Sequence, residues 1–285
     1  MKILLTGRKG QIGWELERAL GPLGLVIATD HTALDLADAD AVRRAVRDTK
    51  PDVIVNAAAY TAVDKAESER ELAFAINATA VGVLAQEARS LGALLVHYST
   101  DYVFDGTKAA AYVEDDAPNP INVYGASKLA GERALQASGC AHLMLRTSWV
   151  YGPRGSNFLL TILRAAREKP ELRVVDDQVG APTSGRAIAE ATARLLSPGA
   201  RGLYHLSAAG QVSWCGFARA ILARAAIATP VAAIRTEDYP VAARRPRNSR
   251  LDNSRLRTDF GMALAPWEEG LAEAMAEHAR LPRAG

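Results

Sequence analysis

The chain has 285 residues, 49% hydrophobic and 23% charged, an ordinary globular composition that excludes a disordered tail protein, a collagen-like fibre and a heptad rod. Lysine and arginine number 34 against 32 aspartates and glutamates, and the net charge of +2 supplies no bulk field to draw the protein to nucleic acid or a membrane surface. Two cysteines, Cys140 and Cys215, are too few for a disulfide framework or a four-thiolate zinc site, so a reducing, cytoplasmic setting is expected.

Ile3-Leu4-Leu5 reads as a short buried parallel strand; it stops at Thr6-Gly7-Arg8, too early for the core of a signal peptide. Ile12, Leu16, Ala19 and Leu20 then recur at helical spacing. Leu25 to Ala28 predicts a second strand ending at Asp30, and Ala41 to Val46 a helix with Asp38 or Asp40 near its start. Val53-Ile54-Val55 predicts a third strand ending at Asn56; a long helix follows from Arg70 to Ser90, stopped by Gly92. Leu94-Leu95-Val96 is a fourth strand running into His97-Tyr98-Ser99-Thr100, followed by a helix from Tyr124 to Gln136 and a strand from His142 to Leu145. This alternation implies an α/β fold, a doubly wound, Rossmann-like parallel sheet covered by helices on both faces. Past Gly152 the rhythm weakens: Phe158–Arg167 and Arg186–Leu196 look helical and Arg173–Val175 extended. The expected division is residues 1–152 for dinucleotide binding and 153–285 mostly for a smaller substrate-binding lobe, with some segments returning to complete the sheet. No run approaches the roughly 18 apolar residues of a membrane span.

Thr6-Gly7-Arg8-Lys9-Gly10-Gln11-Ile12-Gly13 sets glycines three apart between the first strand and the first helix. Gly7 permits a tight turn, Gly10 lets a pyrophosphate approach the backbone, and Gly13 lets the helix pack closely. The helix N-terminus then offers unpaired amides to phosphate. A glycine-rich turn that serves packing alone is the competing reading. Asp30, at the end of the second strand, is placed to hydrogen-bond an adenosine ribose, or simply to close a turn. A carboxylate there favours NAD, whereas Arg8 and Lys9 favour a 2′-phosphate, and the residues leave the choice open.

Tyr124-Gly125-Ala126-Ser127-Lys128 puts a phenol and an amine one turn apart on one helix face. A free phenol, with a pKa of roughly 10, is a poor acid at neutral pH, and a neighbouring ammonium is expected to lower it. Tyr124 would then protonate a carbonyl oxygen as hydride reaches the carbon. Such a pair is also common on surfaces. Thr100, after the fourth strand, is placed to hydrogen-bond the same oxygen, or to cap a turn. Asn56-Ala57-Ala58-Ala59 puts small residues where a cofactor would cross the sheet edge.

In this order the motifs resemble the extended short-chain dehydrogenases/reductases, and within them the dTDP-4-dehydrorhamnose reductase branch. The resemblance runs from Lys2 to about Glu269 and is carried by Ile3–Leu16, Asp52–Glu67, His97–Gly106, Asn122–Glu132, Arg146–Gly152, Asp177–Thr183, Gly202–Leu206 and Arg245–Leu251. It implies the NADPH- or NADH-dependent reduction of dTDP-4-dehydro-L-rhamnose to dTDP-L-rhamnose, NADPH being the commoner cofactor of the family. It implies Tyr124 as proton donor, Lys128 as its partner and a ribose ligand, and Thr100 tuning the tyrosine. Gly10, Gln11 and Ile12 would contact the pyrophosphate and Asp30 the ribose. Asp35, Leu36, Ala59, Tyr60, Thr61 and Tyr98 would line the rest of the cofactor groove. Thr100 and Asp101 would touch the sugar nucleotide and Trp149 would face the deoxysugar. Tyr60 stands where the family has histidine about as often. The resemblance further implies a possible homodimer, with Mg2+ at the subunit contact in some members; no ligands for it are identifiable, and no metal is assigned.

Arg244, Arg245, Arg247, Arg250, Arg255 and Arg257 cluster without interleaved aromatics, which argues against nucleic acid. A clamp on a substrate diphosphate or a set of local ion pairs remain as readings. His97 reads as a packed core histidine. Two alternatives stay in view: an epimerase or dehydratase of the same fold that retains its cofactor, and a non-catalytic regulatory subunit that only binds the dinucleotide.

Overall fold

The computed structural model describes residues 1–197 and 199–281. Its first part runs β1 (Lys2–Thr6), α1 (Gln11–Leu20), β2 (Leu25–Thr29), α2 (Ala39–Thr49), β3 (Val53–Asn56), α3 (Val63–Ala66), α4 (Arg70–Phe74), α5 (Ala80–Leu91), β4 (Leu94–Thr100), α6 (Val123–Ser138) and β5 (His142–Thr147). Then come β6 (Val150–Tyr151), α7 (Phe158–Glu168), β7 (Leu172–Val175), β8 (Val179–Gly180), β9 (Thr183–Ser184), α8 (Gly185–Leu196), β10 (Gly202–His205), β11 (Val212–Ser213), α9 (Trp214–Arg224), β12 (Val231–Ile234), α10 (Ser254–Phe260) and α11 (Trp267–Arg280).

Six parallel strands form one sheet in the order β10-β5-β4-β3-β1-β2. The chain reverses direction across the sheet between β1 and β3, and ligands of open α/β sheets bind beyond the strand C-termini at such a reversal. Side chains alternate across the sheet, as the strand period of two requires. Ile3, Leu5, Val53, Val55, Leu94, Val96, Leu143 and Leu145 face α1 and α8. Leu4, Ile54, Leu95 and Met144 face α2 and α5. Both faces are apolar because both are covered, and each fully buried aliphatic side chain contributes about 1.5–3 kcal/mol.

A third apolar cluster lies outside these layers, built from Tyr151, α7, β7, α9 and α11 around Phe217 and Trp267. Here β7 pairs with β12, β8 with β11, and β6 with β9. Within the later half, α8 and β10 belong to the central sheet and its cover.

Asp38, rather than Asp40, caps α2, its Oδ1 accepting from the amides of Asp40 and Ala41. The helix expected from Arg70 to Ser90 is interrupted by a π-helical turn over Ala75–Thr79 before Gly92, at φ +66, ends it. This turn brings the Asn77 carbonyl so close to α6 that a Cβ on Gly131 would lie 2.1 Å from it. Among the described residues no helix is long and apolar enough to cross a membrane.

Candidate active site

The glycine loop connects β1 to α1. Gly7 has φ +77, and a Cβ there would sit 2.7 Å from the Ala58 nitrogen; one on Gly13 would sit 2.0 Å from the Gly7 oxygen. Gly10 is the N-cap of α1 and provides no capping side chain, which leaves first-turn amides of Gln11, Ile12 and Gly13 to an outside acceptor. A cleft of about 540 Å³ opens over this turn, lined by Arg8, Lys9, Gly10, Gln11, Asp30 and Arg154 among others. The uncapped amides and the crowded glycines fit a dinucleotide pyrophosphate, while Arg8 and Lys9 at the rim are paired with Glu17 and Asp30. The Gln11 side chain is used elsewhere, donating to the Arg154 carbonyl at 2.7 Å.

Asp30 closes a turn, one of its two sequence readings, and also forms an ion pair. Its Oδ1 closes a turn by accepting from Thr32 and Ala33, and its Oδ2 pairs with Lys9 Nζ at 2.7 Å. Lys9 and the hydroxyl of Thr32 hold the carboxyl far below the ordinary carboxylate range. Asp35 accepts from the Ala37 amide and is exposed, whereas Leu36 is buried against the β1–β3 face, so its backbone alone is left for the groove.

Four segments meet at the C-terminal edge of the sheet. β4 ends at Thr100, in register with Thr147 at the end of β5. Asn122 caps α6 by accepting from the Gly125 amide at 2.7 Å, which starts the helix so that Tyr124 and Lys128 share one face. The ammonium of Lys128, 2% exposed, donates to the Tyr98 carbonyl at 2.6 Å. Burial pulls Lys128 down to about 8, with Glu132 opposing. The Tyr98 ring points the other way, into the core, with its hydroxyl 2.8 Å from that of Thr192. Tyr98 therefore brings its carbonyl to the site and keeps its phenol out of it.

Burial pushes the Tyr124 phenol up to about 12; the Thr100 hydroxyl opposes this and the Asp101 carboxyl adds to it. The expected lowering by Lys128 is not what this arrangement produces. The ammonium is turned to the Tyr98 carbonyl, and loss of water dominates. A phenol held this high stays protonated at neutral pH. Tyr102 packs edge-on against Tyr124 with ring centres 5.7 Å apart. Tyr60 and Phe74 complete the apolar surround.

Tyr60 is fixed by Asn77, whose side chain accepts from the Tyr60 amide at 2.9 Å, donates to its carbonyl at 3.0 Å and also donates to Ser127 Oγ. Ser127 in turn donates to the Tyr124 carbonyl. The Ala59-Tyr60-Thr61 segment is thereby tied to the helix carrying Tyr124 and Lys128. Nothing in the sequence marks Asn77 beyond its being an asparagine in an apolar helix. His97 is a buried core residue, as read, but its Nε2 also lies 3.4 Å from Lys128 Nζ and its Nδ1 3.2 Å from the Asn56 amide, which Thr6 holds from below. This chain braces the lysine from inside the sheet.

Trp149 follows β5 with φ +49, and its ring stacks on Trp214 at 3.5 Å with Gly180 against it. The arginines are largely engaged locally: Arg245 grips Asp64 with both nitrogens, Arg247 pairs with Glu237, Arg255 with Asp115, and Arg250 donates to Gln211 and Asn248. For these four, local pairing is the reading the structure favours. Among the described residues of the single chain, no group of three or more His, Cys, Asp or Glu is arranged to hold a metal ion.

Comparison with known proteins gives a consistent match. The model of the family described as RmlD substrate binding domain matches residues 1–280. The chain is 51% identical over 284 residues to the dTDP-4-dehydrorhamnose reductase of Burkholderia thailandensis, covering 94% of this chain and 95% of that protein. It is 47% identical over 292 residues to the enzyme of the same name from Escherichia coli K12, covering 97% and 98%. A crystal structure of dTDP-4-dehydrorhamnose reductase from Bacillus anthracis in complex with NADP superposes with a TM-score of 0.94 at 38% identity, over 97% of this chain and 99% of that one.

Proposed function

The chain belongs to the RmlD substrate binding domain family, and from that premise we propose that it reduces dTDP-4-dehydro-L-rhamnose to dTDP-L-rhamnose with NADPH or NADH. The observation that carries the reading is the meeting of Thr100, Tyr124 and Lys128 at the strand ends beside an uncapped glycine-loop helix. The Bacillus anthracis relative's complex with NADP supports a nicotinamide dinucleotide, NADPH ahead of NADH. When bound, the dinucleotide supplies the hydride for the sugar keto carbon.

This chain's residues handle the proton and the geometry. The amides after Gly10 bind the pyrophosphate and Asp30 the adenosine ribose. Lys128, anchored on the Tyr98 carbonyl, reaches the second ribose. Tyr124 passes its hydroxyl proton to the keto oxygen while Thr100 holds that oxygen in line. Trp149 walls the deoxysugar side, with Asp101 at its other edge. A cytoplasmic location suits the two free, buried cysteines.

The test is to mix the protein with dTDP-4-dehydro-L-rhamnose and follow the reduced nicotinamide by absorbance, once with NADPH and once with NADH. One equivalent oxidised per product formed is expected. Product with no net loss of reductant, as in an epimerase or dehydratase, overturns the reading. Tyr124→Phe should keep cofactor binding and lose about 10²–10⁴-fold in kcat; undiminished turnover removes Tyr124 from the role of proton donor.

A further inference from the structure

Trp149 stands where the central sheet hands the chain to the later lobe, just past the end of β5, in a left-handed backbone conformation with φ +49. Residues other than glycine rarely adopt it, and where it persists the surroundings hold it in place, often at a ligand clamp. The hold here is explicit. The Thr183 amide donates to the Trp149 carbonyl at 3.2 Å, and the Ser148 hydroxyl donates to the Ala181 carbonyl at 3.1 Å. The Trp214 ring lies parallel to the indole, with 7° between the planes and 3.5 Å between the centres. A Cβ on Gly180 would stand 2.6 Å from Cε2 of Trp149 and 2.9 Å from both Cζ2 and Nε1, the pattern of an approach along the ring normal. A gap of 3.5 Å admits no backbone, so Gly180 covers the face that Trp214 does not. Resting on the reductase reading above, we propose that Trp214 is a positioning residue for the reduction: with Gly180 it clamps the Trp149 indole and so fixes the wall against which the deoxysugar is held.

One small sheet delivers both sides of the clamp. β8 ends in Gly180 and pairs antiparallel with β11, Val212 lying opposite Gly180, and Trp214 follows β11 as the first residue of α9. Phe158, the first residue of α7, leans on Trp214 with ring centres 4.5 Å apart and stacks on Phe217, which is fully buried. Through Trp214 the indole is thus tied to the apolar core of the later lobe. Its backbone meanwhile continues the strand whose last residue, Thr147, is in register with Thr100. The φ of Gly180 is not left-handed, so the indole and not the backbone demands a glycine there.

With both faces covered, the rim of the indole, which carries the Nε1 donor, is what remains to meet the sugar. A rim contact is directional, and a ring free to tilt would lose it. Trp214 removes that freedom before the sugar arrives, so less ordering is left to binding and the keto carbon keeps its place for hydride transfer.

The experiment measures steady-state reduction of dTDP-4-dehydro-L-rhamnose, NADPH binding and far-ultraviolet circular dichroism for wild type, Trp214→Ala, Trp214→Phe and Gly180→Ala. Two stacked indoles give a paired positive and negative band, and wild type should show it. Trp214→Ala should lose the band and about 10-fold in kcat/KM for the sugar nucleotide, with NADPH binding within about threefold of wild type. Trp214→Phe should lose the band yet recover most of kcat/KM, because a ring still covers the face. Gly180→Ala should push the indole from the other side with a similar loss. The two alanine substitutions combined should be no more than about threefold worse than either alone, since both act through one ring. Trp267→Phe, which trims the same apolar cluster where it packs on Phe217, should lower the urea midpoint and spare kcat/KM. A wild-type spectrum without the band, an unchanged kcat/KM in Trp214→Ala, an equal loss of NADPH binding, or an equal loss of kcat/KM in Trp267→Phe overturns the clamp and leaves Trp214 a packing residue. If Trp214→Ala does not fold, Gly180→Ala decides, and undiminished kcat/KM there overturns the clamp. A wild type that oxidises no NADPH with this sugar overturns the reductase reading itself, and the role of Trp214 in it, whatever the spectrum shows.

Discussion

Gly13 and Gly82 have opposite parts in the fold. A Cβ on Gly13 would lie 2.0 Å from the Gly7 carbonyl, and neither atom belongs to a flexible side chain. A Cβ on Gly82, inside α5, meets only the Ala134 methyl at 3.5 Å. Gly13→Ala should therefore cost about 1–3 kcal/mol and abolish dinucleotide binding, because α1 must shift away from the turn it caps. Gly82→Ala should gain about 0.5–1 kcal/mol through helix propensity, with binding unchanged. Urea unfolding midpoints and cofactor titration of both variants check the pair; equal midpoints would refute the steric account. The demand on Gly13 was legible because its partner, Gly7, lies six residues away, whereas the contact that crowds Gly7 is with Ala58, which only the pairing of β1 with β3 brings close. The bond from Lys128 to the Tyr98 carbonyl was not legible, since it depends on how far α6 stands from β4.

Among elements, the instructive one is the helical run after Arg70. Periodicity describes its apolar face, and Gly92 does end it. The π-helical turn at Ala75–Thr79 leaves no mark in that pattern, because one extra residue in a turn shifts the face without changing its composition. It places Asn77, 1% exposed, where it satisfies both backbone groups of Tyr60 and reaches Ser127. Asn77→Ala strands those groups and should destabilise the protein by about 1–3 kcal/mol. It should also raise the cofactor KM more than it lowers kcat, since Tyr60 lines the proposed groove and Tyr124 keeps its helix. A fall in kcat alone would show that Asn77 serves the helix and not the groove.

At the scale of the whole molecule, buried titratable groups tie stability to pH. His97 and His205 are fully buried and held neutral by loss of water, His205 down to about 3 and His97 well below its usual value. Unfolded, each takes up a proton near about 6.5. Below that pH the unfolded chain binds more protons, so stability falls as pH is lowered, by at most about 1.4 kcal/mol per pH unit for each histidine. Asp101 acts in the opposite sense: raised to about 7, it is protonated in the folded chain where the unfolded carboxyl is not, and it offsets one histidine. Glu15, raised by burial and by Glu277, adds to the offset at the acid end. The net slope between about pH 5 and 6 should be near 1.4 kcal/mol per unit, rising to about 2.7 in Asp101→Asn. Urea unfolding across that range measures both, and identical slopes would show that Asp101 is not held protonated.

Chain-local chemistry can be read from the residues in order. The strand–helix rhythm, the glycine turn, the N-caps and the one-turn spacing of Tyr124 and Lys128 each depend on neighbours a few residues away. Only folding settles which way Lys128 points and that loss of water raises Tyr124 to about 12. It also settles that Asp30 is paired with Lys9 and that the later arginines are engaged with nearby partners. The physical reason is that a pKa and a hydrogen bond depend on distance and on excluded water. Both are set by packing between segments that only the folded sheet brings together.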